Sequence, residues 1–502
     1  MTASRSLLAS RSLPLLTLPL LLTGCLVGPK YKVPATPAPP AYKEEVPADY
    51  KATPAQATTA PDPGPWKPGQ PYDSIPRGNW WAVFNDPQLD TLEPQVETAN
   101  LTLRQADANL RAAEAEVRVR KADRFPTLGI DPSVGAGRYG LNPYFNGAPG
   151  YGPSGSNVQS PLEANYIVDL WGQVRHNIAA GKEEQQATAG DRETILISLQ
   201  ATLAVDYFNL RTADSLQQLL NATVKQYEEA VRITNNRFNG GVSPKSDLTQ
   251  AQTQLEAARV LATDIAIQRA QYEHAIAVLI GKAPAELSIP VSPIAVSLTP
   301  PVIPPGLPSE LLERRSDIAS AERRANEGNE AIGIAQAAFY PSLNLSGALG
   351  YASSGSLATV FNPAGAVYSL GPGLAFTFFD GGRRKGIKDE AIALFDRDSD
   401  YYKQTVISAF QQVEDNLVSI HTLTDEADAQ HQATAAALES ERIFNNRYVG
   451  GVDNYLQVII AETATLNNEI NELDILRRRM DSTVNLIVDL GGGWDRSQLP
   501  KP

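Results

Sequence analysis

Few residues in this 502-residue chain are of types that do chemistry, and their spacing narrows them further. The only cysteine, Cys25, closes Leu22-Thr23-Gly24-Cys25 directly behind an apolar run. That distance fits the first residue of a mature chain, lipid-bearing if the tetrapeptide is the lipobox it resembles; the other reading is a lone structural thiol. One cysteine allows no disulfide within the chain and no cysteine metal site. The four histidines, His176, His274, His421 and His431, fall on helical stretches without ligand spacing. Asp380-Gly381-Gly382 lacks the Lys-Ser/Thr sequel of a phosphate loop and reads as a bend from strand to helix. No catalytic set emerges, so the chain does not read as an enzyme. Besides the covalent lipid on Cys25, no cofactor is expected.

The segments around Cys25 follow from composition. Residues 1–24 carry Arg5 and Arg11, then an apolar run over 13–22 broken by Pro14, Thr17 and Pro19. This is a secretory signal, too short and interrupted to remain as a spanning helix. Its last residues with Cys25 resemble a bacterial lipobox, and Leu26, not an aspartate, follows; in Gram-negative lipoproteins this implies sorting to the outer membrane. Without the two arginines the formal charge falls from −13 to −15, poorly suited to nucleic acid. No other stretch approaches 18 apolar residues, so no helix crosses a membrane. Residues 25–78, rich in Pro, Ala and Thr, read as a lipid-anchored, largely unstructured tether.

The rest is written twice. Asn235-Asn236-Arg237-Phe238-Asn239-Gly240-Gly241-Val242 returns 210 residues on as Asn445-Asn446-Arg447-Tyr448-Val449-Gly450-Gly451-Val452, identical at six of eight positions. The register holds without a gap to Gly281 and Gly491, and 106–126 weakly matches 321–341. Each copy reads as a helix–turn–helix: glycine supplies a left-handed stop, Ser243 or Asp453 caps the next helix, and Pro244 fits its first position. The first repeat spans 79–281 and the second 309–491; 282–308 is a proline-rich crossover and 492–502 a C-terminal tail.

Each repeat carries a strand pair, at 126–171 and 341–379, in which apolar residues alternate with small or polar ones. The alternation fits four strands of a membrane β-barrel, or a half-buried soluble sheet. The long proline-free stretches 172–238 and 382–448 are each 67 residues, or about 100 Å of helix. Shorter helices at 86–124 and 247–280, then 309–339 and 453–490, add end to end to the same length. A short helix therefore climbs to the strands, the long helix descends to the glycine turn, and the second short helix climbs halfway back. The short helices, the crossover and the C-terminus gather at mid-height. Four strands cannot close a barrel, and an open edge in lipid is forbidden, so several chains must share one. Two chains would give eight strands and three would give twelve.

Leu456 and Ile460, four apart near the start of the last helix, lie on one face. If that face lines the tip, they form an apolar constriction that excludes water, with Asp453, Asp247 and Glu462 nearby but off the stripe. The other reading is that Ile460 packs between helices.

These residues together resemble the outer membrane factor family, the TolC-like exit ducts, and within it the lipid-anchored OprM/NodT-type branch. The resemblance rests on Cys25-Leu26-Val27-Gly28-Pro29-Lys30-Tyr31, Trp80-Trp81 to Asp86-Pro87, Asp169-Leu170-Trp171-Gly172, Phe379-Asp380-Gly381-Gly382-Arg383, and the doubled glycine turn with Asp453-Asn454-Tyr455-Leu456. It covers essentially the whole mature chain. It implies a mainly α fold with a β-barrel segment: a homotrimer with a twelve-strand outer-membrane barrel continuous with a twelve-helix periplasmic α-barrel. It further implies docking of a periplasmic adaptor, and through it an inner-membrane pump of the RND type. The turns Gly240-Gly241-Val242 and Gly450-Gly451-Val452 would then meet the adaptor, and the tip would open as inner helix pairs untwist. The chain departs twice: Ile460 stands where relatives carry an aspartate, and Arg315-Ser316-Asp317 where they carry Arg-Pro-Asp. The expected function is passive exit of small toxic molecules. Alternatives are an exit duct for secreted polypeptide, or a structural coiled-coil surface lipoprotein, which would leave the strands unexplained.

Overall fold

A computed structural model describes residues 25–36, 39, 42–44, 78–138, 154–303, 308–353, 362–492 and 500. The signal, most of the proline-rich segment, and nearly all of the tail lie outside the described residues. Helices α1 (Pro87–Ala99) and α2 (Leu101–Ala122) lead to strands β1 (Thr127–Ile130), β2 (Ser133–Arg138) and β3 (Ser154–Val168). The 67-residue α3 (Gln173–Asn239) and the 35-residue α4 (Lys245–Leu279) complete the first repeat. The second runs α5 (Pro308–Arg314), α6 (Ser316–Ala337), β4 (Ser342–Ser353), β5 (Ala366–Ala375), α7 (Arg383–Val449) and α8 (Tyr455–Asp489), the last two again 67 and 35 residues.

The single antiparallel sheet runs β1–β3–β4–β5, with β2 also on β3. The expected first strand is two segments because Pro132 has no N–H to give the ladder. Asp131 still donates to the Pro161 carbonyl at 3.4 Å, and β2 continues in the register of β1. Four lanes result. Across them Ile130 faces Leu162, Leu162 faces Leu349, and Leu349 faces Tyr368. This apolar row is 67%, 43%, 62% and 85% exposed, so no helix covers it. A parallel row joins Leu128, Ala164, Gly347 and Leu370 on the same face. The neighbouring row, Gly129, Glu163, Ala348 and Ser369, is small and polar, because side chains alternate sides along a strand.

The helices lie side by side in a matching order. α3 packs against α2 and α4 on one side and α6 and α8 on the other; α7 follows, against α6 and α8. Residues 207–215 of α3 are buried all round, which requires neighbours on every side. There the main core gathers Trp80, Leu89, Tyr207, Ile280, Ile289, Leu311, Val413 and Leu490 from both repeats and the crossover. Asp214, fully buried, fastens the crossover: Arg269 Nε donates to its Oδ1 at 2.7 Å and the Ser292 N–H to its Oδ2 at 2.9 Å. The Arg211 guanidinium donates to the Pro290 carbonyl at 2.8 Å.

Two expected helices break. The stretch 86–124 divides at Asn100, whose Oδ1 accepts the Thr102 and Leu103 N–H groups at 2.8 and 3.0 Å, capping α2. Its Nδ2 donates to Leu279 at the end of α4, 2.8 Å away. The stretch 309–339 divides at Arg315, extended at φ −88° and ψ 125°, which donates to Asp317 and, at 3.2 Å, to the Asp489 carbonyl ending α8. In each repeat a break in the first short helix binds the end of the second.

The first residues after Cys25 depart from a free tether. Residues 25–31 lie against α3 and α6, and the Lys43 and Glu44 N–H groups donate to Glu414 of α7 at 2.7 and 3.1 Å. Backbone and side-chain partners on the helices hold what composition alone left loose.

Candidate functional site

At the far end of α3 from the sheet the two glycine turns lie together. The Gly240 N–H donates to Asn236, Gly241 to Phe238, and Val242 to Arg237, at 3.0, 2.9 and 2.9 Å. The second copy repeats these bonds from Gly450, Gly451 and Val452. Only the second glycine of each pair is left-handed: Gly241 and Gly451 both have φ +73°, while Gly240 and Gly450 have φ −81° and −72°. The doublet therefore divides its labour. A side chain at Gly241 would strain the backbone by roughly 1–2 kcal/mol. Gly241→Ala is thus expected to speed amide exchange in peptide 236–246 about tenfold. Gly240→Ala should leave it within about twofold of wild type, since its Cβ would make only ordinary contact. Equal rates in the two variants, read by mass spectrometry, would contradict this division.

The caps sit one residue later than expected. Pro244 and Asn454 precede α4 and α8. Ser243 Oγ donates instead to Asp247 Oδ2 at 2.7 Å, and Asp453 is drawn into a two-pronged pair with Arg447, at 2.5 and 3.1 Å. That pairing holds the Asp453 carboxyl below its ordinary range. Asn454 then caps α8 by accepting from Gln457.

One arginine joins the turns. Arg237 Nη1 donates to the Tyr448 carbonyl at 2.9 Å, and its guanidinium lies 4.5 Å over the Tyr448 ring. Tyr448 packs on Tyr455, with Ala251, Val458 and Ile459 around them. Sequence reasoning missed this clasp, although an arginine at the same place in both copies of the phrase was its signal. Leu456 and Ile460 share the uncovered side of α8, 45% and 54% exposed. They do not pack between helices of their own chain. Two residues on, Glu462 is buried, and burial, with Glu441 adding repulsion, pushes its carboxyl up to about 7. It supplies no surface charge at the tip.

Cys25 is exposed and lies at the other end of α3, about 100 Å from the turns along the helix. Its carbonyl accepts from Arg175 Nη2 at 3.2 Å, and the Val27 N–H donates to Trp171 at 3.2 Å. Among the described residues there is no cluster of metal-ligating side chains. The described residues form a long helical body with an apolar sheet at one end and a clasped tip at the other.

Comparison with known proteins agrees. The outer membrane efflux protein family model matches residues 93–282 and 307–492. The toluene efflux pump outer membrane protein TtgF of Pseudomonas putida is 30% identical over 478 residues, covering 94% of this chain and 95% of its own. Among solved structures, the outer-membrane channel OprN superposes with a TM-score of 0.81 at 27% identity, over 94% of this chain and all of that one. The MtrE outer membrane channel of Neisseria gonorrhoeae, in its open state, gives 0.78 at 26% identity, over 94% of this chain and 99% of that one. OprN and MtrE are outer-membrane channels. The chain belongs to the outer membrane efflux protein family.

Proposed function

We propose that three copies of this chain form one duct through which small toxic solutes leave the cell passively. Cys25 carries the lipid that anchors each copy to the outer membrane. The observation that carries the reading is the exposed apolar row Ile130–Leu162–Leu349–Tyr368, bounded by lanes that each have one unpaired edge within the chain. Lipid accepts such a face but not such edges, so β5 of one copy pairs with β1 and β2 of the next. The helices support the same join. α7 exposes Ile387, Ile407 and Leu438, and α4 exposes Val260, Ile267 and Val278, at opposite ends of the row of helices. Three copies bring twelve strand lanes and twelve helix lanes.

The tip turns lie farthest from the sheet, where a periplasmic adaptor meets the duct and couples it to an inner-membrane pump of the RND type. Small apolar compounds as cargo accord with the toluene pump of the relative named above. Light scattering of the full chain in mild detergent tests the assembly. A mass of three chains is expected, with a helix-dominated circular dichroism spectrum; a stable monomer would overturn the shared barrel and the duct together.

A further inference from the structure

His176 stands in the first turn of α3 with its side chain 4% exposed. Its Nδ1 lies 2.5 Å from Glu330 Oε2 on α6, and its Nε2 lies 2.9 Å from the Val27 carbonyl oxygen. A carbonyl oxygen only accepts, so Nε2 must carry a proton. A carboxylate also only accepts, so both contacts close only while a second proton sits between Nδ1 and Glu330. The ring has a fitted slot: a Cβ on Gly333 beneath it would fall 2.6 Å from ring atoms.

The ring belongs to a row of contacts along residues 25–31. Arg175 Nη2 donates to Cys25, the Val27 N–H to Trp171, Asn329 Nδ2 to Pro29 and the Tyr31 hydroxyl to Glu322, at 3.2, 3.2, 3.2 and 3.3 Å. The N-terminal end of α3 disfavours a cation, as does Arg175 on the same helix. The hydrogen bond to Glu330 outweighs burial and the Arg175 charge and holds the imidazole above its ordinary value. The docked segment itself faces the ring with the neutral Val27 carbonyl.

We propose that His176 and Glu330 form a proton-dependent latch that fixes residues 25–31 to α3 and α6, and so presents Cys25 at one place on the helix–sheet junction. Trp171 and Tyr340, stacked with ring centres 4.6 Å apart, mark that junction. His176 is a positioning residue: it holds Val27, two residues from the thiol. The latch depends neither on transport nor on the lipid. Its sign follows from the raised value. It is complete below the imidazole's unfolded value of about 6.5 and is lost as pH rises through the higher folded value.

Trypsin reads the latch directly, because Lys30 and Lys32 are exposed yet can be cut only when the segment leaves the surface. Cleavage of the full-length chain is timed from about pH 6 to about pH 9, each rate divided by that of an unstructured peptide of the same sequence. The wild-type ratio should rise about tenfold across the range. His176→Gln should be about tenfold faster than wild type at about pH 6, and flat with pH. Glu330→Gln, whose amide can donate to an unprotonated Nδ1, should be flat with pH, and the wild-type profile should persist in Cys25→Ser. A flat wild-type profile, or wild-type rates in both latch variants, would overturn the proposal.

Discussion

Gly281→Ala is expected to destabilise the folded chain by roughly 3 kcal/mol or more. Gly281 ends α4 at φ +69°, which already disfavours a side chain. The added carbon would also fall 2.4 Å from the Ala99 carbonyl oxygen, at the break between α1 and α2. The neighbour is backbone, held by the Asn100 cap, so it cannot swing away. Gly491 repeats the arrangement, φ +76° with Arg314 oxygen at 2.7 Å, and Gly491→Ala should cost a similar amount. Gly386→Ala on α7 is the control, since a Cβ there meets nothing and alanine favours a helix by about 1 kcal/mol. Denaturant melts of the three variants decide it. A Gly281→Ala midpoint at or above that of Gly386→Ala would show that the close approach is not what holds the short helices together.

Ile460→Asp should raise the resting conductance of reconstituted channels several-fold and make the current cation-selective and pH-dependent. Ile460 and Leu456 form an apolar pair on the uncovered side of α8, next to the clasped turns. Copies of such a pair around an axis close a pore by excluding water, and one carboxylate per copy would hold both water and cations there. Leu456→Ser should open the pore without the selectivity. Asp453 and Glu462 do not substitute, because Asp453 is paired with Arg447 and Glu462 is buried. Planar-bilayer recordings of assembled channels test this: unchanged conductance and selectivity in Ile460→Asp would place the residue outside the pore.

The elements were legible where one local property dominated. The long helices lie at Gln173–Asn239 and Arg383–Val449, one residue from the expected spans, because proline-free sequence ends on glycine at both. The breaks at Asn100 and Arg315 were not legible. Neither carries proline or glycine, and each is stabilised by a helix end 179 or 174 positions away in sequence. Nor could sequence say which glycine of each pair turns left-handed, since either tolerates it; the bonds from Val242 and Val452 decide.

His176 shows the same limit at a site. Histidines without ligand spacing offer no chemistry along the chain, and this one gains a role only from Val27 and Glu330, 149 and 154 positions away. By itself the sequence determined the two repeats, the lengths of the two long helices and the alternating strands, because periodicity and backbone preference act between residues a few positions apart. Only the tertiary structure decided where helices break, which apolar face stays bare and which side chains clasp the tip and the N-terminal segment. Those depend on which distant groups satisfy a buried donor or fill a given space, and no local pattern in the chain encodes that.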